Sequence, residues 1–292
     1  MDTNIQEHKQ KGATVNQTPD EKSKHNRDTL SIGGCELNSR FFIGTAMYDS
    51  PAEMQLSINA SESQVVTVSL RRQAAAGGLE NNDAFFEFLQ SFRENNRYLL
   101  PNTAGCHSTK EAITTSLMTR ELFKTNWIKL EVIGDDYTLQ PDPFQLVEAA
   151  KELINQGFEV FPYCTDDLVL CEKLVSVGCK ILMPWGAPIG TGKGLMNPYA
   201  LELLRNRFPG IPLIVDAGIG KPSHAVQAME MGYDAVLLNT AVAKSQNSPL
   251  MAEAFKQAIE SGRKAYLAGC MSEQNKASAS TPIVGMPFWH SQ

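Results

Sequence analysis

The sequence contains no apolar run approaching the roughly 20 residues that cross a bilayer, which excludes a helical membrane protein. No basic stripe offsets the net charge of −6, and this argues against a general nucleic-acid or anionic-membrane binder. Cys35, Cys106, Cys164, Cys171, Cys179 and Cys270 form no C-x-x-C pair, so neither a zinc site nor a small disulfide framework is indicated. Cys164 and Cys179 adjoin apolar runs and are expected to be reduced core thiols of a cytoplasmic protein. The first 28 residues contain no aromatic and only Met1, Ile5, Ala13 and Val15 as apolar side chains, which leaves no signal-peptide core. Five basic and five acidic residues balance there, so 1–28 is expected to be a disordered polar leader without an electrostatic handle on a partner.

What is present is a recurring apolar run. After an opening segment at 29–39, eight such runs fall at 41–45, 65–70, 98–103, 127–132, 159–164, 180–185, 213–218 and 235–240. Segments of helical periodicity separate them. Ser108 with Glu111 reads as a capping box, and Pro51, Pro143, Pro198 and Pro249 each follow Ser, Asp or Asn, as at the first turn of a helix. Gly157, Gly178 and Gly232 mark helix ends. Eight nearly continuous apolar strands alternating with helices predict a parallel sheet covered by helices, and the count favours a closed (β/α)8 TIM barrel over an open sheet. The expected domain spans 29–282, with a tail at 283–292. Gly44-Thr45-Ala46 lacks the G-x-G-x-x-G of a dinucleotide-binding turn. Gly192-Lys193 is not a P-loop, because Ala187 and Gly194 stand where glycine and Ser or Thr are needed.

The most informative segment is Trp127-Ile128-Lys129-Leu130-Glu131-Val132. In a strand, Lys129 and Glu131 share one face, about 7 Å apart at the backbone. A buried amine beside a buried acid is a candidate for Schiff-base chemistry on a carbonyl. The alternative at this point is an edge-strand lysine that reaches water beside an ion-pair partner. Chemistry in such barrels sits at the carboxyl ends of the strands, with phosphate often held after strands seven and eight. Here strand seven runs Leu213-Ile214-Val215-Asp216 into Ala217-Gly218-Ile219-Gly220, strand eight ends in Asn239-Thr240, and strand six is followed by the glycine-rich stretch 186–194. These three loops, with the helix start at Pro222 to His224, suggest a phosphorylated small molecule held by backbone N–H groups, although glycines also close βα turns for steric reasons alone. Holding a lysine of ordinary pKa neutral at pH 7 requires about 4.6 kcal/mol. Desolvation favours the neutral amine, whereas ionised Glu131 and Asp216 oppose it.

Leu100-Pro101-Asn102-Thr103-Ala104-Gly105, Lys129-Leu130-Glu131-Val132-Ile133-Gly134, Pro141-Asp142-Pro143, Gly186-Ala187-Pro188-Ile189-Gly190, Val215-Asp216-Ala217-Gly218-Ile219-Gly220 and Asn239-Thr240-Ala241 occur in an order that resembles the thiazole synthase (ThiG) family of thiamine biosynthesis, from about Leu30 to Pro282. The resemblance implies a cytoplasmic (β/α)8 enzyme that makes the thiazole phosphate of thiamine. Its substrates would be 1-deoxy-D-xylulose 5-phosphate, dehydroglycine (2-iminoacetate) from another enzyme, and sulfur from the C-terminal thiocarboxylate of a ubiquitin-like carrier protein. It further implies an imine between the sugar phosphate and Lys129, acid/base roles for Glu131 and Asp216, and sugar-phosphate contacts at Gly190, Ala217, Gly218, Asn239 and Thr240. No metal or organic cofactor is implied, and a homo-oligomer is.

The chain ends His290-Ser291-Gln292 without the diglycine of a carrier, so the carrier is expected to be a separate protein. It departs from the family pattern in its polar leader, in Ala268-Gly269-Cys270, where a basic residue usually follows, and in Ser280-Thr281-Pro282 in place of Ser-Ser-Pro. Two other readings share the barrel and phosphate rim: a lysine-dependent aldolase acting on a sugar phosphate, and a non-catalytic barrel that binds the sugar phosphate or the carrier.

Overall fold

In the computed structural model, residues 28–70, 92, 96–278 and 280 are described. Residues 1–27 of the expected leader (1–28) and the tail at 283–292 lie outside them. The opening segment is a hairpin of β1 (Leu30–Ile32) and β2 (Cys35–Leu37), paired antiparallel across Gly33-Gly34. Both glycines have positive φ, +55° and +78°, the conformation of a two-residue turn matched to strand twist. Four barrel strands follow: β3 (Phe41–Gly44), β4 (Val65–Ser69), β5 (Tyr98–Asn102) and β6 (Trp127–Leu130). A second hairpin, β7 (Ile133–Asp135) with β8 (Gln140–Pro141), rises from the rim after β6. The barrel resumes with β9 (Glu159–Cys164), β10 (Met183–Pro184), β11 (Ile214–Asp216) and β12 (Ala235–Leu238).

These eight strands run parallel in the order β10-β9-β6-β5-β4-β3-β12-β11. Parallel bridges Leu182↔Leu213 and Trp185↔Asp216 join the two edges, so the sheet closes into the expected barrel. Each of the eight apolar runs supplies one strand.

The described helices are α1 (Pro51–Ser61), α2 (Thr109–Phe123), α3 (Pro143–Asn155), α4 (Leu168–Ser176), α5 (Pro198–Arg207), α6 (Pro222–Glu230), α7 (Thr240–Ala243) and α8 (Ser248–Ala268). Ser50, Ser108, Asp142 and Asn197 cap as expected, each side chain accepting a first-turn N–H. At α8 the cap is Asn247 rather than Ser248, which instead donates to Glu53 Oε1 at 2.8 Å and ties α8 to α1. Asn247 fits the role better because its side chain reaches the Leu250 N–H, while Ser248 is already inside the helix.

Strand parity divides the core. Outward residues such as Ile43, Val66, Ile128, Val160, Leu182 and Val236 pack beneath the helices. Inward residues Phe42, Val65, Leu100, Trp127, Phe161, Met183 and Ile214 fill the amino-terminal half of the barrel. Leu30, Ile32 and Leu37 of the first hairpin join that inner cluster and plug its floor. Each contributes about 2 kcal/mol by burial. Trp127 Nε1 donates to the Gly33 carbonyl at 3.2 Å and fixes the plug in place. Asp28, assigned to the leader from sequence, accepts from both Arg40 (2.8 Å) and Arg263 (2.8 Å), anchoring the chain start to β3 and α8. Apolar packing thus fills the floor and leaves the carboxyl-terminal half to polar side chains.

Substitution at Gly33 tests the plug. An added Cβ would lie 2.6 Å from the Trp127 ring at a φ of +55°, so Gly33→Ala should cost about 1–3 kcal/mol. Gly34→Ala also has positive φ but meets nothing within 4 Å, so its cost should be smaller. Thermal melts of the two variants give the comparison. Equal melting temperatures would show that the Trp127 contact is not what holds the hairpin.

Candidate active site

At the carboxyl ends of the strands a cavity of about 550 Å³ opens between the rim loops. Its base is polar because the inward positions above the apolar floor are Thr67 and Ser69 on β4, Asn102 on β5, Lys129 on β6 and Asp216 on β11. Glu131 lies just past the end of β6 and lines the same cavity. A larger cavity, about 790 Å³, sits at the amino-terminal end around Gly33, Tyr98 and Trp127. It holds no comparable cluster of acid and amine, and barrel chemistry belongs to the opposite face.

Lys129 is only 6% exposed, with Glu131 at 5% and Asp216 at 2%. The edge-strand reading is therefore wrong: β6 is interior to the sheet, and the amine does not reach bulk water. Its Nζ stands 2.6 Å from Asp216 Oδ2 and 3.4 Å from Glu131 Oε1. β6 and β11 are not neighbours in the sheet, so the shorter contact crosses the barrel interior.

Desolvation by itself pushes the ammonium pKa down, but Asp216 and then Glu131 outweigh it, and the net direction is up. The desolvation anticipated from sequence loses to the two acids, which favour the charged amine. Burial likewise raises Asp216, against the pull of Lys129 and of the Ala217 N–H. A carboxylate of raised affinity for protons, 2.6 Å from an ammonium, is placed to accept a proton from it.

Thr103 sets the position of Glu131. Its hydroxyl accepts from the Glu131 N–H and donates to the Glu131 carbonyl, both at 2.7 Å, in a fully buried setting. Regular pairing of β6 stops at Leu130, so these two bonds continue the strand by side chain.

The expected phosphate-contact residues Gly190, Ala217, Gly218, Asn239 and Thr240 all line this one cavity. Ala217 adopts a left-handed φ of +69°, a strained conformation for a residue with a Cβ. Its N–H also bonds the Asp216 carboxylate. Gly218 is dictated by contact: a Cβ there would come 2.3 Å from the Ala187 backbone N. The loops after β10 and β11 are further joined by the Gly194 N–H donating to the Gly218 carbonyl at 2.8 Å.

Asn239 precedes the short helix α7, whose Thr240 and Ala241 also line the cavity. First-turn N–H groups have no partner within a helix, which suits them to an anion. Asn239 Nδ2 donates to the Ala46 carbonyl at 3.0 Å, while its Oδ1 is buried without a partner. The helix start at Pro222 to His224 does not contribute as expected. The cavity lining ends at Gly220, whose N–H is taken by His224 Nδ1 at 3.2 Å.

Among the described residues, Lys129 and the rim residue His107 are the only basic side chains on the lining. Among the described residues no three His, Cys, Asp or Glu side chains converge to hold a metal ion. Nor is any described helix long and apolar enough to cross a membrane. Cys164 and Cys179 are buried, and burial pushes the Cys179 thiol up to about 12, as suits an inert core thiol.

Sequence reasoning missed Thr67, Ser69, Thr103 and the β7–β8 wall. Thr67 and Ser69 share the inward parity of Val65, a signal that was available.

Asp216→Asn removes the leading electrostatic support of the ammonium, so the Lys129 pKa should fall. Because the remaining charge stays buried, stability should drop by about 3 kcal/mol. The pH dependence of acylation at Lys129 and a denaturant melt measure the two effects. A lysine that instead titrates at higher pH in the variant would contradict the electrostatic assignment. A raised lysine pKa stabilises the fold below the unfolded value near 10.4, and the contribution disappears as pH rises through the folded pKa. The stability difference should therefore be present at pH 7 and shrink only in strong alkali.

Comparison with known proteins gives a consistent assignment. The family model described as "Thiazole biosynthesis protein ThiG" matches residues 31–282. A thiazole synthase of Cupriavidus necator is 56% identical over 270 residues, covering 92% of this chain and 96% of the relative. One from Burkholderia pseudomallei is 56% identical over 263 residues, covering 90% and 95%. Among solved structures, the Amycolatopsis orientalis BexX/CysO complex is similar with a TM-score of 0.73 and 30% identity, over 85% of this chain and 98% of that one. The matched span holds the whole barrel together with Lys129, Glu131 and Asp216, and the chain belongs to the ThiG family, the thiazole synthases of thiamine biosynthesis.

Proposed function

We propose that the chain forms the thiazole phosphate of thiamine from 1-deoxy-D-xylulose 5-phosphate, dehydroglycine and carrier-borne sulfur, through an imine at Lys129. The observation that carries this reading is the buried amine set between two carboxylates in a cavity whose rim exposes backbone N–H groups. The sugar phosphate would bind with its phosphate toward Gly190, Ala217, Gly218, Asn239 and Thr240 and its ketone toward Lys129. Binding at that rim leaves the charge of the phosphate solvated by N–H dipoles and away from Glu131 and Asp216.

Lys129 then gives a proton to Asp216, and the neutral nitrogen attacks the ketone carbon. A proton returned to the former carbonyl oxygen lets it leave as water, giving the imine. Glu131, held by Thr103, serves the later proton transfers at the sugar carbons. Sulfur arrives as the thiocarboxylate of a carrier protein, whose sulfur bonds to the activated sugar; cleavage of the acyl–sulfur bond by a water-derived oxygen then releases the carrier as its carboxylate and leaves the sulfur on the sugar. The sulfur adds to the C=N carbon of dehydroglycine, whose nitrogen displaces Lys129 from the sugar carbon, and loss of water closes the ring as the thiazole phosphate carboxylate. A protein partner is supported by the BexX/CysO structure, in which a relative is seen in complex with a second protein. Assembly as a homo-oligomer and a cytoplasmic setting are part of the same reading.

Reconstitution tests it. The purified chain supplied with the sugar phosphate, dehydroglycine and a thiocarboxylated carrier should yield thiazole phosphate, and Lys129→Ala should yield none. Product formed equally by Lys129→Ala would leave a non-catalytic binding role. Cleavage or joining of carbon skeletons without a sulfur donor would point to an aldolase.

Glu131→Gln keeps the shape of the side chain but cannot transfer a proton, so turnover should fall by about a hundredfold or more while sugar-phosphate binding, read by calorimetry, is retained. Thr103→Val should reproduce part of that loss, and Thr103→Ser should restore it. Equal activity in the valine and serine variants would remove Thr103 from this role.

A further inference from the structure

The walls of the carboxyl-terminal cavity are unlike one another. β9 and β10 give Phe161 and Met183 to the apolar floor, and no residue of either strand lines the cavity. β4 and β5 instead turn Thr67, Ser69 and Asn102 inward, on the same parity as Val65 and Leu100 below them. Within the sheet Ser69 is the register partner of Asn102, and Asn102 is that of Lys129. Side chains of register partners leave the same face of adjacent strands about 5 Å apart at the backbone. The polar wall therefore begins beside the amine.

Each of these groups has hydrogen-bonding capacity to spare. Asn102 Oδ1 accepts from the Ala104 N–H at 3.3 Å, which fixes one end of the carboxamide and leaves Nδ2. Among the described residues no partner bonds Asn102 Nδ2, the Ser69 hydroxyl or the Thr67 hydroxyl. The Thr67 group that accepts from Thr45 Oγ1, at 2.8 Å, is its carbonyl. None of the three free atoms is enclosed out of reach, unlike Asn239 Oδ1. Apolar residues at these positions would simply extend the floor, whereas polar groups facing a cavity without a protein partner call for one from outside. Two hydroxyls and an amide nitrogen, all uncharged, match an alcohol, which is itself both donor and acceptor.

Resting on the sugar-phosphate reading above, we propose that Asn102, Ser69 and Thr67 bind the two hydroxyls of the substrate and select a dihydroxy ketone phosphate over a plain ketone phosphate. 1-Deoxy-D-xylulose 5-phosphate carries its ketone at C2, hydroxyls at C3 and C4, and its phosphate at C5. With C2 at Lys129 and the phosphate at the loops after β10, β11 and β12, the C3 and C4 carbons span the space between. Two arcs of the barrel connect those ends, β5, β4 and β3 on one side and β9 and β10 on the other. Along the cavity lining only the first arc offers polar side chains. The hydroxyls therefore turn toward it, that of C3 beside Asn102 and that of C4 toward Ser69 and Thr67.

A simpler ketone separates the hydroxyls from everything else: 4-oxopentyl phosphate keeps the ketone, the phosphate and the chain length and lacks both hydroxyls. Its affinity is measured by calorimetry beside that of 1-deoxy-D-xylulose 5-phosphate, on the wild type, Asn102→Ala and Thr67→Val. Thermal melts and borohydride trapping are run on the same samples. The wild type should prefer the sugar phosphate by about tenfold for each hydroxyl, the weight of one well-made hydrogen bond. Each variant should lose about tenfold toward the sugar phosphate and change by less than about twofold toward 4-oxopentyl phosphate, because the lost bond had no counterpart there.

Equal affinity of the wild type for the two compounds would overturn the proposal, as would variants that weaken both alike, the mark of a structural role. Should Asn102→Ala not fold, Thr67→Val and Ser69→Ala carry the test, and an unchanged preference in both would overturn it. Calorimetry reads the hydroxyls whether or not the amine reacts. Discrimination without a trapped adduct on the wild type would therefore overturn the imine at Lys129 and leave this wall standing. Adduct formation without discrimination would do the reverse, and a wild type that binds neither compound would overturn both.

Discussion

The 2.6 Å contact between Lys129 and Asp216 is the constraint on which the rest of the site depends. A lone ammonium in this interior would lose its hydration with nothing in return, and breaking such a buried pair is generally costly. β6 and β11 meet only across the barrel interior, and only because the sheet closes at Leu182↔Leu213 and Trp185↔Asp216. Closure and charge burial are therefore one problem. The apolar floor, plugged by Leu30, Ile32 and Leu37, keeps water from entering below and leaves the carboxyl-terminal mouth as the route to the pair.

Two kinds of recognition are kept apart on that mouth. Charged side chains cluster at the ends of β6 and β11, where the proposed proton transfer would run. The loops after β10, β11 and β12 line the same mouth, and in the proposed reading their backbone N–H groups, which carry no titrating proton, take the phosphate. The close approach of those loops explains the small residues there: Gly218 lies against Ala187, and Gly44 admits Asn239, whose Cβ would be 2.6 Å from a Cβ at position 44. Ala217, with its left-handed φ and its N–H bonded to Asp216, belongs to the same arrangement.

Much of this was legible in the chain. Barrel strands are buried on both faces, so each announced itself as an apolar run, and the Ser, Asp and Asn caps marked most helix starts. Lys129 and Glu131 stood out because charge inside such a run has few explanations. Asp216 was legible from its place at the end of strand seven, and its pairing with Lys129 follows from closure, which no local pattern encodes. The direction of the lysine pKa was not legible either, since desolvation and attraction oppose each other and only distances decide between them. The β7–β8 hairpin was hidden because its strands are too short for periodicity. Thr103 was hidden for another reason: threonine is ordinary in strands, and its role comes from what it faces. The start of α6 was over-read, because His224 takes the amide that an anion would have used.

The central claim is that the buried amine of Lys129 bonds covalently to the sugar phosphate. Intact-protein mass spectrometry after incubation with 1-deoxy-D-xylulose 5-phosphate and borohydride reduction, followed by peptide mapping, tests it most directly. One sugar-phosphate adduct on the peptide containing Lys129 is the predicted result. An unmodified mass, under conditions where the folded protein demonstrably binds the sugar phosphate, would contradict it.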